Sequence, residues 1–534
     1  HLMTEAVLSL QQKGNFILVL VAMLLGVLIG LMCSNTFGHR TEAAPSKMKE
    51  VIDLVQREYV DRVDVDSLSE DLVRVMLTEL DPHSAYLSAR EAQRSAEMMR
   101  GNFDGVGLII HREGDTSYVG QVMPDGPSAG SGLQAGDMLA TIDGDSVTGL
   151  PPDTVVARLR GPRHTSVVVG VQRYDASTAK SKSLTYKLRR GVVAQRSLPC
   201  YTMIDDTTGY ILLTSFTATS HDEFREALRS LVARGMRHLV FDLRGNGGGS
   251  LQTAVGIAGE LLPMGSLIVY TQGLHSRRHN VRSHGGGLFT RGRVTVIIDE
   301  NSASASEVVA GALQDNDRAM VVGRRSFGKG LVQTEFNLDD GSSVLLTTAR
   351  YYTPSGRCIQ RSYDDGTDEY YRDYVQQLID EAYADSAVAT IRDTTPYYTV
   401  GGRTVYGGGG INPDHLFLYR HDTSFVYYNQ LVSRRLLSTT AFAYVRTHGR
   451  ELLERYPDGE SFYQGFRLND ALIEEVARRG ERMGVARDTK SLRAQRGLMA
   501  NTMAAFIGQS LYDDALYYRI LLREDDDIKK IKRL

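Results

Sequence analysis

"RVTVIIDENSASASEVVAGALQD" occupies residues 293–315, and its texture changes halfway along. The opening "RVTVIID" is almost continuously apolar and β-branched, as in a strand buried on both faces. The closing "ASEVVAGALQD" has the apolar spacing of a helix. Between them stand three serines, Ser302, Ser304 and Ser306, spaced two apart. A strand that runs into a helix is half of a βαβ unit, and the alternation continues on both sides. Upstream lie strand-like "GYILLTSF", helix-like "HDEFREALRSLVARG", strand "HLVFDLR" and helix "SLQTAVGIAGELL", and strand "AMVVG" follows. From about Val192 to Pro354 the sequence therefore predicts an α/β region with buried, largely parallel strands.

Further upstream, residues 101–190 break into short β-like runs, "GVGLII", "SYVGQVM", "DMLATID" and "SVVVGVQR", punctuated by Gly and Asp. Before them, residues 45–100 read as a helical region, with amphipathic "SKMKEVIDLVQREYV" and "SLSEDLVRVMLTELD" halted at Pro82. Downstream of the core, residues 416–534 carry further helical patterns and no recognisable catalytic constellation. No internal repeat or low-complexity tract interrupts the chain.

Chemistry can be sought at three places in the α/β region. "FDLRGNGGGS" sets Asn246 and Gly247 to Gly249 between a strand and a helix, where backbone amides can face an anion. No Lys-Ser/Thr follows, and the spacing of a dinucleotide fingerprint is missing, so a phosphate loop fails; a plain turn needing positive φ and a cradle for a developing oxyanion both stand. Ser304 stands at the helix start with the amide of Ala305 beside it, yet Ser304-Ala-Ser-Glu307 also fits a capping box, in which the hydroxyl only satisfies an amide. A serine nucleophile needs a base, and no histidine motif offers one. "GRRSFGKGLVQ" supplies Lys329 between two glycines, a base if its surroundings keep the amine neutral.

The β-rich stretch has its own signal. In "GVGLII", Gly105, Val106, Gly107 and Leu108 form a turn whose amides can receive a carboxylate, while the strand after it can pair with an extended peptide. With "GPSAGSGLQAGDMLATIDGDSV" downstream, residues 101–190 resemble a PDZ domain, a module that captures peptide C-termini. The order of that module, "DLRGNGGG", "NSASASE", "FGKGLVQ" and "TTARYYTPSGRCIQ", with "LDPHSAYL" before and "GGGGINPD" after, resembles the carboxyl-terminal processing peptidases, or tail-specific proteases. The resemblance implies a serine endopeptidase that cleaves proteins at or near their C-termini. It implies Ser304 as nucleophile, Lys329 as base, Gln333 supporting the lysine, and oxyanion donors from Ala305 and from Gly247 or Gly248. It also implies a crotonase/ClpP-like core at 191–415 with the PDZ domain inserted ahead of it, and substrate tails docked at Gly105 to Leu108. No metal or organic cofactor is expected. The extension at 416–534 departs from shorter members and fits a dimerisation element, a lid or a partner surface; a homo-oligomer is compatible with it.

Composition narrows the setting. The chain has 534 residues, enough for roughly three or four domains. Its 61 Lys and Arg nearly balance 64 Asp and Glu, so no overall field favours nucleic acid. Three scattered cysteines, Cys33, Cys200 and Cys358, have neither metal-site nor disulfide-framework spacing. "FILVLVAMLLGVLIGLMC" at 16–33 is 18 uncharged residues, long enough to cross a bilayer, and reads as an anchor with a cleaved signal peptide as the alternative. Residues 1–15 are then a cytoplasmic leader, in which "HLM" reads as an expression remnant. The catalytic domain is expected in the periplasm or another extracytoplasmic space, held to the inner membrane. Two rivals are a non-catalytic scaffold built on a degenerate protease and a crotonase-type acyl-CoA enzyme. An intact Ser304, Lys329 and Gln333 argues against the first, and the PDZ-like module and export signal argue against the second.

Overall fold

The computed structural model describes residues 43–175, 178–382, 395–418 and 424–534. The leader at 1–15 and the apolar stretch at 16–33, with Cys33, lie outside the described residues. The chain divides after Leu77. Its first unit holds the helix Ala43–Glu58 and a second that starts at Val65, where Asp64 Oδ1 accepts the amides of Asp66 and Ser67.

In the second unit a six-stranded sheet runs in the order Cys200–Met203, Thr208–Leu212, His238–Asp242, Arg293–Ile298, Met320–Gly323 and His415–Leu416. The first pair is antiparallel and all others are parallel. Helices Ser220–Ala233, Leu251–Leu261 and Ala305–Asp315 make the crossovers. They bury Phe224, Leu228, Ile257 and Val309 with Phe241 and Val296 in one cluster at 0% exposure, each side chain contributing about 1.5–3 kcal/mol. The order fixes the site: the glycine-rich turn, the three serines and the lysine loop follow the carboxyl ends of three neighbouring strands, where open α/β sheets bind their ligands.

A second sheet, antiparallel and five-stranded, is absent from the sequence reading. Ser343–Tyr352 is its spine, flanked by Leu331–Asn337, Ala85–Leu87 and Leu267–Gln272, with His279–Arg282 outermost. Pairing of Ala85 with Leu345 puts the "LDPHSAYL" segment on the spine strand Ser343–Tyr352, across it from Leu331–Asn337, the strand that follows Lys329. The helix Ala89–Arg100 comes next, closed by Gly101 at φ 73°.

The β-rich stretch leaves and re-enters the core through paired strands, Asn102–Gly105 against Gly191–Ala194. Its own sheet runs Leu108–Glu113, Thr116–Val122, Met138–Ile142, Ser166–Asp175, Lys180–Arg189, so Leu108–Glu113 is an edge. Val119, Leu139, Ile142, Val155 and Val167 fill it, with the helix Pro152–Leu159 closing the core.

Among the described residues, Ser424 to Ile531 form eight helices around Leu431, Val445, Phe462, Val476 and Met503. This bundle meets the β-rich module: Phe442 lies 4.1 Å from His111 between ring centres, and Arg446 pairs with Glu113 at 3.1 Å. Its last helix, Asp526–Ile531, tucks Ile528 and Ile531 against Tyr210, Val240 and Ile297 on the central sheet.

Candidate active site

Ser304 ends the loop after Arg293–Ile298 with φ 54° and ψ −113°, a conformation that costs a side-chain-bearing residue about 1–3 kcal/mol. Its neighbours hold it there. Ser302 Oγ donates to the Leu243 carbonyl at 2.8 Å and accepts from the Asp299 amide at 2.9 Å. Ser306 Oγ donates to the Asn246 carbonyl at 2.8 Å, which also accepts from the Ala303 amide at 3.0 Å. Ser302 and Ser306 are 0% exposed, whereas Ser304 is only partly buried. The flanking serines are thus rivets between the serine turn and the glycine-rich turn.

That second turn presses on Ser304 directly. A Cβ at Gly248, whose φ is 103°, would fall 2.8 Å from Ser304 Cβ and 3.0 Å from the Ala305 nitrogen. Of the expected oxyanion donors, the Gly248 amide is already taken by Asn246 Oδ1 at 2.9 Å. The amides of Gly247 and Ala305 donate to no group among the described residues. Of the pair Gly247/Gly248, Gly247 alone keeps its amide unclaimed among the described residues, because a side chain two residues away satisfies the other.

Lys329 follows Met320–Gly323, and its glycine neighbour serves packing: a Cβ on Gly328 would meet Gly409 and Gly410 of "GGGGINPD" at 3.0 and 3.1 Å. The lysine loop is fastened to the serine turn at three points. Glu307 Oε2 accepts both the Ser304 amide at 2.8 Å and the Lys329 amide at 2.9 Å. Its Oε1 accepts Gly328 N at 2.7 Å and Ser326 Oγ at 2.6 Å. The Phe327 amide donates to the Ser302 carbonyl at 2.9 Å. From the other side, the Tyr351 hydroxyl sits between the carbonyls of Ser304, at 3.0 Å, and Lys329.

Burial lowers the Lys329 pKa, and Glu307 and Asp81 partly oppose the shift. The same burial, aided by the lysine's charge, lowers His83 to about 4, so this ring is neutral at ordinary pH. Its Nε2 lies 3.1 Å from the Tyr370 hydroxyl. Gln333 Nε2 donates to Thr347 Oγ1 at 3.2 Å, the Thr347 amide to Ser84 Oγ at 3.1 Å, and Ser84 Oγ to Asp81 Oδ2 at 2.6 Å. Among the described residues no hydrogen bond joins the Lys329 amine to Ser304 Oγ or to Gln333. The structure brings the backbones of Ser304 and Lys329 together, and Gln333 reaches the lysine's surroundings through Asp81.

Known proteins match along the same stretches. The model for Peptidase family S41 covers residues 207–368, that for the PDZ domain covers 95–172, and a family of unknown function covers 427–513. The carboxy-terminal-processing protease of Bartonella bacilliformis is 33% identical over 322 residues, 59% of this chain and 72% of the relative. The Bacillus subtilis carboxy-terminal processing protease CtpB is 30% identical over 60% of this chain and 66% of its own. This chain belongs to the carboxy-terminal processing proteases. Among solved structures, the photosystem II D1 C-terminal processing protease is 30% identical, over 60% of this chain and 84% of that one, with a TM-score of 0.34.

The protein is a serine-type peptidase with a PDZ domain, a protease that cleaves near C-termini. In the PDZ turn the carbonyls of Val106 and Gly107 accept from Ser128 N and Met123 N, both at 3.0 Å, while their own amides donate to nothing among the described residues. Sequence reasoning missed Tyr351, the side-chain bonds of Asn246 and the full reach of Glu307. For Glu307 a signal existed, since the S-x-x-E pattern marked it, but its bonds to residues 326–329 join segments that only the fold makes neighbours.

Proposed function

We propose that Ser304 attacks the scissile carbonyl while Lys329, as a neutral amine, takes the hydroxyl proton. The amides of Ala305 and Gly247 receive the oxyanion. The C–N bond breaks as Lys329 returns the proton to the leaving amine, and water then attacks the acyl-enzyme with the lysine again as base. Gln333 supports the lysine through Thr347, Ser84 and Asp81. The observation that carries this reading is the shared bracing of Ser304 and Lys329: two carbonyls on one tyrosine hydroxyl and two amides on one carboxylate oxygen. Burial that lowers the lysine pKa favours the form a base requires.

Substrate tails dock on the PDZ turn at Gly105 to Leu108, with the tail pairing along the free edge Leu108–Glu113 and its carboxylate on the unclaimed amides. The catalytic core is of the crotonase/ClpP type, with a mostly helical extension after it. The apolar stretch at 16–33 supports an inner-membrane anchor with the protease facing the periplasm, and release of the full chain by alkaline carbonate would refute this.

The test is cleavage of an unfolded protein by Ser304→Ala and Lys329→Ala. Each is expected to lose at least about 1000-fold in kcat/KM. Persistent cleavage in both variants would remove the dyad.

A further inference from the structure

Glu307 is left over once these roles are assigned. It is 0% exposed, makes no ion pair within 4 Å among the described residues, and every group that bonds its oxygens there is a donor. Four donors fill the four lone-pair sites of an ionised carboxylate. Three belong to Ser326, Gly328 and Lys329, and the fourth is the amide of Ser304. Ser326 Oγ itself accepts from the Ile411 amide at 2.6 Å, which directs its own proton toward Glu307.

We propose that Glu307 is a positioning residue for peptide cleavage: an ionised acceptor that holds the Ser304 and Lys329 backbones in register, so that a proton on its carboxylate releases them. The proposal rests on the Ser304/Lys329 reading. A protonated oxygen, or the amide group of a glutamine, would turn a donor toward donors and keep only part of the four bonds. Burial pushes the Glu307 carboxyl up to about 7 against the pull of those donors, so protonation begins close to neutrality. The titratable groups facing it are Lys329 from the loop, Tyr351 from the strand Ser343–Tyr352 and Tyr370 from the helix Thr367–Ala382. Both phenols are pushed upward and stay neutral in this range, leaving Lys329 as the partner that feels the charge.

Geometry and charge predict opposite outcomes. The Glu307 carboxylate raises the Lys329 pKa, so removing the charge alone would make the amine a more available base at low pH. Removing the acceptor instead separates the two backbones. The experiment measures kcat and KM across the pH range for the full chain, Glu307→Gln and Ser326→Ala, with circular dichroism to check folding. Glu307→Gln is expected to lose about 100-fold in kcat at every pH with KM little changed. Ser326→Ala removes one donor from the ionised carboxylate, so the acid limb of kcat should move upward by about half a unit or more. A Glu307→Gln enzyme with undiminished kcat, or an acid limb unmoved in Ser326→Ala, overturns the proposal. If Glu307→Gln does not fold, Ser326→Ala decides alone. Failure of the dyad reading looks different, since cleavage would then persist in Ser304→Ala and Lys329→Ala.

Discussion

Two glycine-containing turns in this molecule offer bare backbone amides, and they are held in unlike ways. At Asn246 to Gly249 side chains close in from every direction. Asn246 Nδ2 donates to the Leu213 carbonyl at 2.9 Å, Asp299 Oδ1 accepts Gly245 N at 2.9 Å, and Arg244 is gripped by Asp242, Asp525 and Asp527. At Gly105 to Gly107 the anchors are all backbone: Gly105 pairs with Gly191, and Gly107 and Val106 accept from the amides of Met123 and Ser128. A site that must stabilise charge as it develops gains from amides that cannot reorganise, whereas a dock for varied tails needs only amides that are available.

The comparison can be broken in three places. The core's bracing extends to the far end of the helix that Ser304 opens, where Asp315 meets Arg357 at 2.7 Å with both side chains 0% exposed. Replacing Asp315 by Ala strands a buried guanidinium and should cost about 3–5 kcal/mol of stability, measured by urea unfolding. A loss under about 1 kcal/mol would show that the core is not braced as a unit. Next, Gly248→Ala puts a methyl group 2.8 Å from Ser304 Cβ and should lower kcat about 100-fold with KM nearly constant, as misplaced reacting groups do. A smallest effect is expected in the loosely held turn: Gly107→Ala, whose Cβ would lie 2.9 Å from Gly126 Cα, should raise KM about 10-fold for substrates with a free tail. The same variant should leave kcat on tail-less peptides alone, and a fall there would mean that the two turns are coupled.

The sequence exposed those parts of the architecture whose signals are local. The runs "HLVFDLR" and "RVTVIID" announced parallel strands because both faces are apolar, and the "NSASASE" and "FGKGLVQ" motifs marked the residues that the sheet order sets side by side. The second sheet was invisible: Ala85–Leu87 finds its partner about 260 residues later, and a three-residue strand carries no periodicity. The bond from the Gly248 amide to Asn246 Oδ1 was not legible either, because it depends on how the turn folds back on itself. The sequence offered no partner for Ser302 or Ser306, whose hydroxyls reach carbonyls 59 and 60 residues upstream. The sequence showed Lys329 between two glycines without a reason, and the crowding of Gly328 against Gly409 and Gly410 supplies one.

The grip on Arg244 has a consequence in time. Two of its three carboxylates arrive 281 and 283 residues after it in the chain. While the polypeptide is being made, the core sheet and both the serine and the lysine motifs emerge well before those acids do. Until then the arginine beside the glycine-rich turn has only Asp242 to answer it, and the turn lacks its outer clamp. The outer clamp on the glycine-rich turn can therefore close only once the helix Asp526–Ile531 has packed against the central sheet.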